Sequence, residues 1–182
     1  MITKRLELLK ERISNPEFLN NKGLSNEVGI HVFPYDPKEE MIVKDFVKRL
    51  KNDKNISCNI VELDLYKAFL KVLENDGILD EVGEVEAEIS HEELLDQLQT
   101  ELDQIMEAAE IPDLKLGEDI LLLTGIGDVF PFIRAHYVLN ALQEVVDVPV
   151  IAFYPGEYNG RDLKLFGMIN DKNYYRAFNL CE

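Results

Sequence analysis

The chain has 182 residues, 46% of them apolar, two cysteines and a net charge of −16. That length supports one hydrophobic core and is short for two, and the apolar share excludes global disorder. No apolar run approaches the roughly 20 residues that span a bilayer, and the charged, amphipathic start from Met1 to Arg12 lacks the apolar stretch of a secretory signal.

Residues 3–15 predict a helix, with Thr3 as its cap and Leu6, Leu9 and Ile13 as its apolar stripe. Asn15-Pro16 stops it. Residues 19–29 read as a loop, and residues 29–34 as a short strand. Asp36-Pro37-Lys38-Glu39 then opens a second helix, with Asp36 capping and Glu39 placed to reach back. Its predicted stripe is Met41, Ile42, Phe46, Val47 and Leu50. A strand follows over 56–65, with Ile56, Cys58 and Ile60 on one face, then a helix over 65–75.

The next stretch holds the whole charge excess. From Glu74 to Asp119 there are 17 Asp and Glu against one base, Lys115, which leaves 18 acids and 18 bases elsewhere. Such a segment repels a phosphate backbone, so strong direct nucleic-acid binding is not expected. It is either a solvated face or a docking surface for a basic partner. Residues 83–89 read as loop. Ser90-His91-Glu92-Glu93 reads as a capping box that opens one helix to about Glu110, about 30 Å long, with Leu94, Leu98, Leu102, Ile105 and Ala109 as its stripe.

Asp119 to Thr124 contains Ile-Leu-Leu-Leu, the pattern of a strand buried on both faces of a parallel sheet. Gly125 to Asp128 is a turn. Pro131 starts a helix to about Val146, with Ile133, Val138, Leu139, Leu142 and Val146 apolar. Strands follow at 148–154 and 163–169. The loop between them, holding Pro155-Gly156 and Asn159-Gly160, is too short for a parallel crossover, so the pair is antiparallel. Residues 174–180 form a last short strand or helix. This order predicts a single α/β domain over 1–182. Its sheet is mostly parallel, doubly wound and Rossmann-like, with an antiparallel edge at the C-terminus and an acidic, partly helical insertion at 76–112.

Candidate chemistry is thin. Gly125 and Gly127 stand between a strand and a helix, where phosphate loops occur, but no Gly-Lys-Ser/Thr follows and the third dinucleotide glycine is missing. A tight turn explains them, and a nucleotide sensor without hydrolysis is the sharper alternative. Asp36, Asp64, Asp128 and Glu157 fall at strand ends, where four carboxylates can hold Mg²⁺ or Mn²⁺ for hydrolysis of nucleic acid or nucleotides. Helix caps and turns explain them as well. His31, His91 and His136 have no metal-ligand spacing, and no serine has a nucleophile-elbow context. Cys58 and Cys181 form no CxxC, which argues for a reducing cytoplasm and against a disulfide scaffold. No cofactor is expected. Arg134, Tyr158, Arg161, Tyr174, Tyr175 and Arg176 are candidates for a partner-binding face, because Tyr and Arg dominate binding hot spots. Core-completing aromatics are the plainer reading.

Longer stretches at these residues carry a resemblance. Leu122-Leu-Thr-Gly-Ile-Gly-Asp-Val-Phe-Pro-Phe-Ile-Arg-Ala-His136, Phe153-Tyr-Pro-Gly-Glu-Tyr-Asn-Gly160, Leu165-Phe-Gly167 and Asn173-Tyr-Tyr-Arg-Ala-Phe178 resemble BrxB, a family of BREX (bacteriophage exclusion) systems. Asn15 to Leu19, Gly23 to Val28 and Glu62 to Tyr66 agree more loosely. The resemblance implies context more than chemistry, since it brings no catalytic residues. It implies a cytoplasmic, non-catalytic adaptor in a defence complex, beside the ATPase BrxC, the methyltransferase PglX and the phosphatase-like PglZ. PglZ is the first expected partner and BrxC the second.

Overall fold

The computed structural model describes residues 1–22, 29–171 and 178–180. Helix α1 (Ile2–Ile13) buries Ile2, Leu6, Leu9 and Ile13, but Met1, not Thr3, occupies its N-cap, with no side-chain cap bond. Asn15 caps a further turn, α2 (Pro16–Leu19), by accepting the Glu17 N–H at 2.8 Å. Strand β1 (Ile30–Tyr35) follows. Asp36 caps as predicted, accepting the Lys38 N–H at 2.9 Å. The turn it opens, Pro37–Glu39, is 3₁₀, and α3 (Glu40–Lys51) begins after it. Val43, Phe46, Val47 and Leu50 form the buried stripe, while Met41 and Ile42, predicted inside, are exposed. Two residues turn a helix by about 200°, so Met41 lies opposite Val43.

Strand β2 (Asn59–Asp64) runs directly into α4 (Leu65–Asn75). The acidic stretch differs from expectation. The loop predicted at 83–89 is α5 (Val82–Glu88), and the single long helix is two, α6 (His91–Gln97) and α7 (Leu102–Ala108). Ser90 and Glu93 form the predicted box. A second box breaks the helix: the Glu101 N–H donates to Gln104 Oε1 at 3.0 Å, and the buried Thr100 hydroxyl donates to the Leu98 carbonyl at 3.2 Å. Side chains that bond nearby backbone compete with continuation of a helix. Leu94, Leu98, Leu102 and Ile105 are still all buried.

Strand β3 (Asp119–Thr124) leads through the single turn α8 (Ile126–Val129) to α9 (Ala135–Val145). This helix starts later than Pro131, because Arg134 is extended at its N-cap; the Phe130–Pro131 bond before it is cis. Strand β4 (Val150–Tyr158) includes Pro155 and Gly156, which the sequence assigned to a loop. Strand β5 (Leu163–Leu165) pairs antiparallel with it, as the short connection required. The strand predicted at 163–169 turns back after Leu165 into β6 (Ile169–Asp171). Strand β7 (Phe178–Asn179) pairs parallel with β1.

The parallel strands stand in the order β2-β3-β4-β1-β7, with β5 and β6 branching from β4. Alternation along β3 divides the core. Ile120 and Leu122 face α1 and α3, whereas Leu121 and Leu123 face the helices from α4 to α9. Both sheet faces are therefore covered, which is why these strands are apolar throughout. The chain crosses from β1 to the edge strand β2 by way of α3. It returns to β3 and β4 by way of helices on the other face, as right-handed crossovers require. Among the described residues no helix is long and apolar enough to cross a membrane.

Candidate functional site

Chain leaves β1 and β3 toward opposite faces of the sheet, and such a divergence opens a crevice at the carboxyl ends of the strands. Here it is a cleft of about 540 Å³. One wall is α3, which presents Lys44, Lys48 and Lys51 at helical spacing i, i+4, i+7. The other is the β2–α4 junction, with Asp64, Tyr66 and Lys67, and the β3–α8 junction, with Thr124, Gly125 and Asp128.

Local geometry explains how these residues arrive. Asp64 ends β2 and caps α4 by accepting the Lys67 N–H at 3.2 Å, and its other oxygen lies 2.6 Å from Lys67 Nζ. Gly125 has φ +72°, and a Cβ there would fall 2.7 Å from Asp64 Oδ1 and 3.0 Å from the Tyr66 nitrogen. Only glycine lets β3 turn so close to the start of α4. A Cβ on Gly127 would lie 2.9 Å from both Phe166 and Pro155. The second motif glycine is thus a packing requirement, whereas the tight turn at positive φ expected of the motif is found at Gly125 alone.

The cleft is laced with ion pairs. Lys51 meets Glu62 at 2.6 Å, and Glu62 also accepts the Thr124 hydroxyl at 2.8 Å. Lys44 meets Asp128 at 2.7 Å and Glu40 at 3.4 Å. The Asp128 hydrogen bond raises the Lys44 pKa, and the Asp64 hydrogen bond raises that of Lys67. Tyr35 donates its hydroxyl to Glu40 at 2.6 Å, and burial first, then that carboxylate, push its pKa far up. Lys48 makes no ion pair among the described residues. The arrangement lines the cleft with hydrogen-bond donors and acceptors from both walls.

Of the four predicted metal carboxylates, Asp64 and Asp128 line the cleft, each tied to a lysine. Asp36 is spent on its cap, and Glu157 lies on β4 opposite Lys164, outside the cleft. No three His, Cys, Asp or Glu among the described residues are grouped to hold a metal ion. Arg134 is exposed at the start of α9, and Arg161 is exposed between β4 and β5. Tyr158, expected on a partner face, is buried. Strand β4 runs further than predicted, and its period of two turns Tyr158 inward with Tyr154. Tyr174, Tyr175 and Arg176 lie outside the described residues. His31 is buried beside the Phe18 ring, with its pKa lowered to about 4 by burial and then by the Arg12 charge. Sequence reasoning missed the lysines. The available signal was their spacing on the helix after β1, together with Glu62-Leu63-Asp64 at a strand end.

A family profile described as "BREX protein BrxB" matches residues 61–180. A BREX protein BrxB of Bacillus cereus (strain H3081.97) is 41% identical, over 100% of this chain and 98% of its own length. Another, of Escherichia coli O9:H4 (strain HS), is 33% identical over 97% of this chain and 90% of its own. No solved structure gives a significant match.

Proposed function

Because the chain belongs to the BrxB family of BREX proteins, we propose that it serves phage defence as a non-catalytic adaptor, with PglZ its first protein partner and BrxC its second. The observation that carries this reading is the exposed acidic surface of α5, α6 and α7. These helices bury the stripe of Leu94, Leu98, Leu102 and Ile105 and turn their carboxylates to solvent. A surface of one sign steers and orients a partner of the other sign. Arg134 and Arg161, both exposed, and Tyr174, Tyr175 and Arg176 are the remaining candidates for contact. The metal-hydrolase alternative gains no support, since only two of its four carboxylates share the cleft and lysines occupy both.

The test is size-exclusion chromatography with light scattering on the chain mixed with its cognate PglZ, at low and at high salt. A complex that forms at low salt and dissociates at high salt places the contact on the acidic helices. A complex indifferent to salt places it elsewhere. Separate elution at every salt removes PglZ as a direct partner, and the same experiment with BrxC then decides whether the adaptor reading survives.

A further inference from the structure

The geometry points to a small-molecule site in the cleft between α3 and the β2–α4 and β3–α8 junctions, with a mononucleotide as its ligand. This inference goes beyond the adaptor reading and does not rest on it.

Three features carry it. The first is place and size. About 540 Å³ lies within the range of ordinary ligand pockets, and the cleft sits at the carboxyl ends of parallel strands where the connections diverge. The second is charge. In a chain of net charge −16, the α3 wall gathers three ammonium groups along one helical stripe. Lys48 has all three of its N–H donors unspent among the described residues, and Lys44 and Lys51 keep donors beyond those their carboxylates use. A phosphate is the group that such a stripe accepts. The third is the opposite wall. Glu62 and Asp64, oriented by Thr124 and by the α4 cap and each paired with a lysine, keep carboxylate lone pairs that suit sugar hydroxyls. The exposed Tyr66 ring offers a face on which a base can stack. Phosphate, sugar and base each find a matching group, which neither free phosphate nor a nucleoside alone does.

The experiment is isothermal titration of the chain alone with AMP and ADP at about 0.15 M salt, where non-specific attraction is screened. Inorganic phosphate, adenosine and ribose 5-phosphate are titrated alongside. The expected result is saturable 1:1 binding of AMP or ADP, tighter than all three fragments. Lys48→Glu should weaken it at least about tenfold, Tyr66→Ala should weaken it as well, and Lys115→Glu, an exposed position before β3 at the opposite end of the parallel strands, should leave it unchanged. Amide shifts of the unmodified protein should move at Lys48, Tyr66 and Gly125, a readout that needs no variant. No binding at millimolar AMP or ADP overturns the proposal. So does binding that survives Lys48→Glu, binding of ribose 5-phosphate as tight as that of AMP, or amide shifts confined to another surface.

Discussion

Lys44 on α3 lies 2.7 Å from an Asp128 oxygen on α8, joining helices whose apolar residues belong to opposite faces of the sheet. The pair is half exposed, so its strength is that of a surface ion pair, about 0.5 kcal/mol. The hydrogen bond to Asp128 raises the Lys44 pKa above its ordinary 10.5. Its contribution is therefore complete below about pH 10.5 and is lost as pH rises through the folded-state value. A double-mutant cycle on Lys44→Met and Asp128→Asn should give a small coupling at pH 7 that is lost in alkali, once pH has passed the raised Lys44 value. Coupling that persists there would remove the ion pair as its source.

Gly125→Ala should destabilise the fold by about 1–3 kcal/mol, because alanine is strained at φ +72° and its Cβ would press on Asp64 and the Tyr66 backbone. Gly83→Ala is the control. It sits in α5 with open space around it, so the same substitution should be neutral or stabilising by up to about 1 kcal/mol. Urea denaturation of the two variants measures the contrast, and equal effects would contradict the close approach at Gly125.

Ile105→Ala should cost about 2–5 kcal/mol, since Ile105 is 0% exposed where α7 packs in the core with α4. Hydrogen exchange should show the amides of α6 and α7 losing protection together. Independent loss in α7 alone would mean that the acidic helices are not one cooperative unit.

His31 sets an acid limit. Burial and the Arg12 charge hold its pKa at about 4, so the folded state keeps it neutral while the unfolded chain takes up a proton near pH 6.5. Stability is then greatest above about pH 6.5 and falls as pH drops toward 4, by roughly 3 kcal/mol at most. His31→Phe should flatten that part of the stability profile. An unchanged slope would place the acid sensitivity in other groups.

Reversing Glu86, Glu92 and Glu107, three exposed carboxylates outside the caps, should weaken association with PglZ at low salt and leave melting nearly unchanged. Unchanged affinity would remove the acidic helices from the interface.

Much of the fold was legible because its signals are local. The four-residue apolar run in β3, the Asp36 cap, the Ser90–Glu93 box and the stripe of α9 all follow from spacing within a few residues. The helix break at Thr100 was missed because Glu101 and Gln104 form an uncommon version of the capping box. The cleft was less legible for a different reason. A lysine on the polar side of a helix reads as solvated. Only the crossover that carries α3 over the carboxyl ends of β2 and β3 sets Lys51 against Glu62 and Lys44 against Asp128. Of the motif glycines, Gly125 lines the cleft, and Gly127 is held close to Phe166 and Pro155.

Strand β1 lies between β4 and β7, with Ile30 opposite Val150 and His31 opposite Phe178. Strand β1 thus finds both neighbours only once the chain has been made through Phe178. A growing chain can close its α3 crossover early, yet its central hydrogen-bonding groups wait for the last third, so closure is slow and late. A ribosome that stalls or terminates before residue 150 releases a product with both edges of β1 bare, a target for aggregation and proteolysis.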